Sequence, residues 1–294
     1  MNDFVSKSKN IEENYPLAKL TWFNVGGISK YFFQPDNIEK LEKFLKINKS
    51  NLDIYPLGAG SNVLVRDKGY NGIIIHFSRL NKIEIDDKGI ITAEAGALDA
   101  QVSRFARDHC RTNLEFLIGI PGSIGGGIRM NSGAYGSDFK KILIDVKAIN
   151  KEGNVKIFKN KELGLSYRNC KIADEWYFLN ARLKTKPGKK EEIQNKMKGI
   201  IINRKKSQPT GVKTGGSTFM NNNTFKAWEE IDKSGCRGMV FGGAMISEKH
   251  CNFIINKKNA TATEIESLGE KVKQKVFLKT GNKLNWEIKI IGVK

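Results

Sequence analysis

Residues 56–75 read PLGAGSNVLVRDKGYNGIII, and residues 118–136 read IGIPGSIGGGIRMNSGAYG. These two stretches decide the fold. In each, small residues follow an apolar run: Gly58, Ala59, Gly60, Ser61 and Asn62 in the first, Pro121, Gly122, Ser123, Gly125, Gly126 and Gly127 in the second. With no Cβ in the way, successive backbone N–H groups can converge on an anion. Two such loops suit a diphosphate joining two ligand halves, whereas a single Gly-x-Gly is more often a tight turn. A nicotinamide-type fingerprint does not fit. Its last position wants Gly or Ala and holds Val63, and residues 62–66 have the pattern of a strand where a helix should receive the phosphates. The Lys-Ser/Thr end of an NTPase P-loop is also missing. The loops predict a dinucleotide or diphosphate held outside a Rossmann frame.

Short strands and helices mix irregularly around these loops. A helix is expected from a cap at Asp36 to about residue 48, with Ile38, Leu41, Phe44 and Leu45 on one face. IEIDDKGIITAEA reads as a hairpin turning at Asp87-Lys88-Gly89, and a second strand pair brackets Glu152-Gly153-Asn154. Strands are expected at 176–183 and 286–291, and a long helix at about 262–279. The charged Pro-Gly break at 186–190 is the best boundary, giving domains 1–187 and 188–294. Such mixing argues for α+β domains over a uniform βαβ series.

Composition narrows the function. The chain has 294 residues, with 50 Lys+Arg against 31 Asp+Glu and a formal charge of +19. That charge invites a nucleic-acid partner, but the lysines are scattered through every segment and form no dense stripe with stacking aromatics. The expectation is no nucleic-acid partner and an attraction for small anions. Four cysteines lie far apart and only three histidines are present, so neither a metal site nor a disulfide framework is expected. No apolar run approaches the roughly 20 residues that cross a bilayer, and MNDFVSKSKNIEENYP lacks the apolar core of a signal peptide. A cytoplasmic protein without membrane insertion is expected.

Several stretches, in order, resemble one family. TWFNVGG at 21–27 and the two glycine loops resemble the flavin-binding half of the MurB family, the UDP-N-acetylenolpyruvoylglucosamine reductases. LSYRNC at 165–170, KTGGSTFMN at 213–221, residues 227–256 and LNWEIKIIG at 284–292 resemble its remaining parts. The resemblance runs from about residue 17 to the end, and the length looks like the shorter type II members. It implies a peripheral FAD-binding fold of the vanillyl-alcohol-oxidase (PCMH) type in two subdomains, followed by a smaller α+β substrate-binding domain. The implied activity is that of a UDP-N-acetylmuramate dehydrogenase. NADPH reduces FAD, and the enolpyruvyl ether of UDP-N-acetylglucosamine is then reduced to the lactyl ether for peptidoglycan. A monomer is expected.

The resemblance also assigns residues. The loops at 58–62 and 121–127 would hold the FAD diphosphate, and the region of Asn131, Gly133 and Ala134 would lie against the flavin. Arg168 would face the substrate carboxylate, where a bidentate cation absorbs charge. Ser217 matches the proton donor for C2, although a serine after Gly-Gly is commonly a cap or turn residue. Glu287 matches the third catalytic position, although a charged residue in a final strand is often solvent-facing. No side chain supplies hydride, so a flavin or nicotinamide is required. His76, His109 and His250 are expected to be non-catalytic. The sequence departs from the family's GSTFKNP at Met220 and Asn222, removing a cation that Lys213 or Lys226 would have to replace. The nearest alternative is an FAD-dependent oxidase or dehydrogenase of the same fold, which would not require Arg168, Ser217 and Glu287 together.

Overall fold

The computed structural model describes residues 11–48, 51–172 and 174–294. The first ten residues of MNDFVSKSKNIEENYP, the stretch read as lacking a signal peptide, lie outside them. Contacts divide the chain into two compact units that interleave in sequence. Among the described residues, the first comprises 11–12, 31–48, 51–59, 73–172 and 174–204; the second comprises 13–30, 60–72 and 205–294.

The first unit is built on a five-stranded antiparallel sheet. Its order is Val155–Lys159, Leu143–Asn150, Trp176–Leu183, Ile91–Glu94, Ile83–Ile85. Both expected hairpins are present in it. Along Leu143–Asn150 most side chains are buried, and Val146, Ala148 and Ile149 are fully enclosed, as a central strand requires. A second element pairs Ile54–Leu57 in parallel with Ile73–His76, setting Leu57 opposite His76. The helix Ile38–Ile47 buries Leu41, Phe44 and Leu45, with Phe44 stacked on Phe33 at 4.1 Å. Asn37, not Asp36, caps it by accepting from Lys40 N at 2.8 Å. Asp36 is instead drawn to the side chains of Arg79 and Lys40.

The expected break at 186–188 is part of this unit. Lys186–Pro187 pairs with Arg111–Thr112, and Gly188 N donates to Cys110 O at 2.9 Å. The helix Lys190–Ser207 follows, and the compact division falls near its end, between residues 204 and 205.

In the second unit, a three-stranded sheet (Val240–Phe241, Ala244–Ile246, Ile254–Asn256) packs with the helix Ala262–Thr280. Thr261 and Glu264 form a capping box at the start of that helix. Asp67 adds a second cap, accepting from Ala262 N and Thr263 N at 2.9 and 2.8 Å. Val63–Val65 is a strand, as residues 62–66 suggested, and it pairs in parallel with Lys289–Ile291. The final strand is therefore shorter than the expected 286–291. Trp286 bridges to Phe219 instead, and its ring lies over Gly269, where a Cβ would come within 2.0 Å of it.

Among the described residues no helix is long and apolar enough to cross a membrane. The α+β class stands as expected.

Candidate active site

The first unit contains a cavity whose wall includes Gly58, Ser123, Gly125, Gly126 and Arg129, backed by Phe77, Tyr177 and Phe178. Both glycine loops reach it. A Cβ placed on Gly58 would fall 2.3 Å from Ser123 Oγ and 3.9 Å from Gly126 N, so three polar or bare backbone points converge on one spot. The Ser123 hydroxyl is buried and has no hydrogen-bond partner. An unsatisfied buried hydroxyl costs about 1–3 kcal/mol, which a ligand acceptor at this spot would relieve.

The glycines of these loops do two different jobs. A Cβ on Gly126 meets nothing closer than Ser123 Oγ at 3.6 Å, and the residue is exposed. Its bareness serves whatever approaches from outside. Gly125 and Gly127 have no room because Ala95 and the Phe139 ring stand at 2.9 and 2.3 Å. Gly122 is closed by Asp99, whose Oδ2 would lie 2.7 Å from a Cβ there. Asp99 is fully buried with both carboxyl oxygens unpartnered, and burial pushes its pKa well up, so it is held as a neutral acid beneath the loop.

His76 braces the first loop. Its ring bonds to the Gly58 backbone, and Gln34 Nε2 lies 3.2 Å from Nδ1. An amide N–H only donates, so Nδ1 accepts and the ring is neutral. Burial lowers its pKa from 6.5 to about 4. Between these values the unfolded chain binds a proton that the folded chain does not. The stabilisation is complete above pH 6.5 and is lost as pH falls toward 4. Over that window the loss is on the order of 3 kcal/mol. Urea midpoints at several pH values should fall less steeply with acid in His76→Gln than in the parent. Parallel curves would show that His76 does not titrate with folding.

Asn131, Gly133 and Ala134 also belong to the first unit. Asn131 is buried; its Nδ2 donates to Ser166 O at 3.1 Å and its Oδ1 accepts from Lys140 N at 2.9 Å. It thereby ties its loop to the turn Ser166–Asn169, whose end residues bond each other at 3.1 and 3.2 Å. Arg168 sits in that turn at φ +53, a left-handed conformation that costs a non-glycine residue about 1–3 kcal/mol. Its guanidinium lies 4.9 Å from the Tyr167 ring. Pro121 begins the tightly held segment: Asp99 N bonds Gly122 O at 3.0 Å and Ile124 N bonds Ala97 O at 2.9 Å.

The second unit gathers Gly60, Ser61, Asn62, Ser217 and Glu287. Gly60 has φ +65, and a Cβ on it would collide with Leu20 O at 1.8 Å. This glycine is demanded by the protein's own packing. Asn62 Nδ2 donates to Glu287 O at 3.1 Å, and Glu287 N donates to Thr218 O at 2.8 Å. Ser217, next in chain to Thr218, bridges to Phe253. Three segments far apart in sequence are thus stitched into one cluster. Glu287 is only 9% exposed, against the solvent-facing alternative, while Ser217 is half-buried. Of the departures, Asn222 Oδ1 accepts from Thr224 N and Phe225 N, closing a turn, and Lys226 lies 3.9 Å from Glu229.

Sequence reasoning missed His76 as a brace, and Asp99 and Arg129 as neighbours of the loops. Arg129 ends the segment IGGGIR, where its distance from Gly126 gives one helical turn, and that spacing was the available signal.

A model of the FAD binding domain matches residues 29–159, and a model of the UDP-N-acetylenolpyruvoylglucosamine reductase C-terminal domain matches residues 208–291. The chain is 46% identical to UDP-N-acetylenolpyruvoylglucosamine reductase of Orientia tsutsugamushi strain Ikeda over 286 residues, covering 96% of this chain and 94% of that one. It is 45% identical to the protein of the same name from Paramagnetospirillum magneticum, covering 95% and 91%. The crystal structure of the MurB from Thermus caldophilus superposes with a TM-score of 0.83 at 29% identity, covering 96% and 99%. Two family models in the right order, and relatives matched over nearly their whole length, lead to one assignment: the chain belongs to the MurB family, the UDP-N-acetylenolpyruvoylglucosamine reductases.

Proposed function

We propose that the chain reduces UDP-N-acetylglucosamine enolpyruvate to UDP-N-acetylmuramate with NADPH as reductant, in the cytoplasm, for peptidoglycan synthesis. The observation that carries this reading is the cluster in which Asn62, of a flavin loop, is hydrogen-bonded to Glu287, which is hydrogen-bonded to the Ser217-Thr218 segment. An oxidase of the same fold has no need to tie those three segments together.

The residues present fit FAD. Phosphate oxygens only accept, and the cavity wall offers the unpartnered Ser123 hydroxyl, bare backbone at Gly58 and Gly126, and no carboxylate. In this reading the part carrying residues 29–159 binds the flavin and the part carrying residues 208–291 the substrate, and residues 188–204, which belong to the first unit, go with the flavin part. When bound there, FAD would supply the redox chemistry, the transfer of hydride equivalents between NADPH and C3 of the enolpyruvyl group.

The chain's own side chains handle charge and the proton. Arg168 neutralises the carboxylate as electron density builds toward C2. Ser217 gives its proton to C2. Glu287, buried and held by backbone on both sides, supports proton delivery and the orientation of the reacting group.

The test is a steady-state assay with product analysis. NADPH consumption should depend on UDP-N-acetylglucosamine enolpyruvate and yield a product two hydrogens heavier. Consumption that needs only oxygen would identify an oxidase and overturn the proposal.

A further inference from the structure

We infer that Arg129 is the cation of the diphosphate cradle and that Asp174 competes with the cofactor for it. The inference rests on the flavin reading above and deepens it. Arg129 shares the cavity wall with Gly58, Ser123 and Gly126, one helical turn beyond Gly126. Its side chain is 25% exposed, so the guanidinium is partly desolvated and its charge is less screened than at an open surface. Among its partners is Asp174, with Nη2 2.9 Å from Oδ1.

That partner is a weak one. Asp174 is 98% exposed, so water screens its carboxylate and the pair contributes little. A doubly charged diphosphate in the cavity is the stronger partner, since it also takes hydrogen bonds from Ser123 Oγ and backbone N–H groups. Every donor at the cradle then finds an acceptor, the otherwise unpartnered Ser123 included. Arg129 is thus a binding and positioning residue.

Two substitutions have opposite expected signs. FAD release from purified holoenzyme is followed by flavin fluorescence on dilution. Arg129→Met should raise the dissociation constant at least roughly tenfold, the worth of one charge-assisted hydrogen bond or more. Arg129→Lys keeps the charge without the fork and should fall between Met and the parent. Asp174→Asn should bind FAD more tightly, by up to about fivefold.

If Arg129 were only structural, breaking its pair from either side would weaken FAD alike. An Asp174→Asn protein that releases FAD as easily as the parent, or more easily, therefore overturns the inference. So does an Arg129→Met protein, folded by circular dichroism, whose affinity matches the parent's. A parent protein that carries no FAD would instead overturn the flavin reading itself.

Discussion

Replacing Ser217 with alanine should leave flavin reduction by NADPH near its normal rate and slow reoxidation by the enolpyruvyl substrate by roughly 10²–10⁴-fold. The split follows from where protons are needed. Hydride passing from NADPH to flavin takes no proton from this serine, whereas reduction of the enolpyruvyl group must end with a proton on C2. A hydroxyl is a weak acid, useful only beside a strongly basic carbon, and in the proposed mechanism Arg168 would temper that basicity by drawing charge to the carboxylate. Stopped-flow absorbance of the flavin measures both halves. Equal slowing would make Ser217 a structural turn residue, and slowing of neither would move the proton to Glu287 or water.

The second large effect separates two glycines that look alike in sequence. Gly126→Val should yield folded protein that loses FAD, because a side chain there meets only Ser123 Oγ and projects outward into the cradle. Gly60→Val should damage the second unit itself, since its Cβ would lie 1.8 Å from Leu20 O and the residue sits at φ +65. The measurements are flavin content after purification and the thermal midpoint of the stripped protein. Gly126→Val should lose most of its flavin while that midpoint shifts little, whereas Gly60→Val should lower both. Full flavin content in Gly126→Val would mean that the loop is an ordinary turn.

Periodicity and turn chemistry made much of the fold legible. The hairpins around residues 86–89 and 151–154 and the capped helix Ala262–Thr280 follow from local signals, and they form where those signals place them. The interleaving of the two units was not legible. The segments 13–30 and 60–72 join 205–294 through pairings such as Val63–Val65 with Lys289–Ile291, which span more than two hundred residues and leave no local mark. Lys186-Pro187-Gly188 has the composition of a linker, yet its backbone bonds go to residues 110–112, because Pro and Gly also serve at strand ends.

At the site, residue types were legible and their duties were not. Glu287 lies between Trp286 and Ile288 as an edge-strand residue would, yet it is buried, with the neighbouring Trp286 ring seated on Gly269 and its own carbonyl accepting from Asn62. Asn131 sits in a glycine-rich stretch that suggests ligand contact, but its amide is occupied in holding the Arg168 turn. The brace from His76 to Gly58 depends on the parallel pairing of Leu57 with His76, which spacing alone does not announce.

The central claim is that one flavin mediates two separable half-reactions and that the second is specific for the enolpyruvyl ether. The direct measurement is anaerobic. The purified protein is reduced with one equivalent of NADPH until the flavin absorbance bleaches, and is then mixed with UDP-N-acetylglucosamine enolpyruvate. The oxidised flavin spectrum should return in full with stoichiometric UDP-N-acetylmuramate, and should not return with UDP-N-acetylglucosamine. Reduced flavin that persists with the enolpyruvyl ether, and recovers only when oxygen is admitted, would contradict the claim.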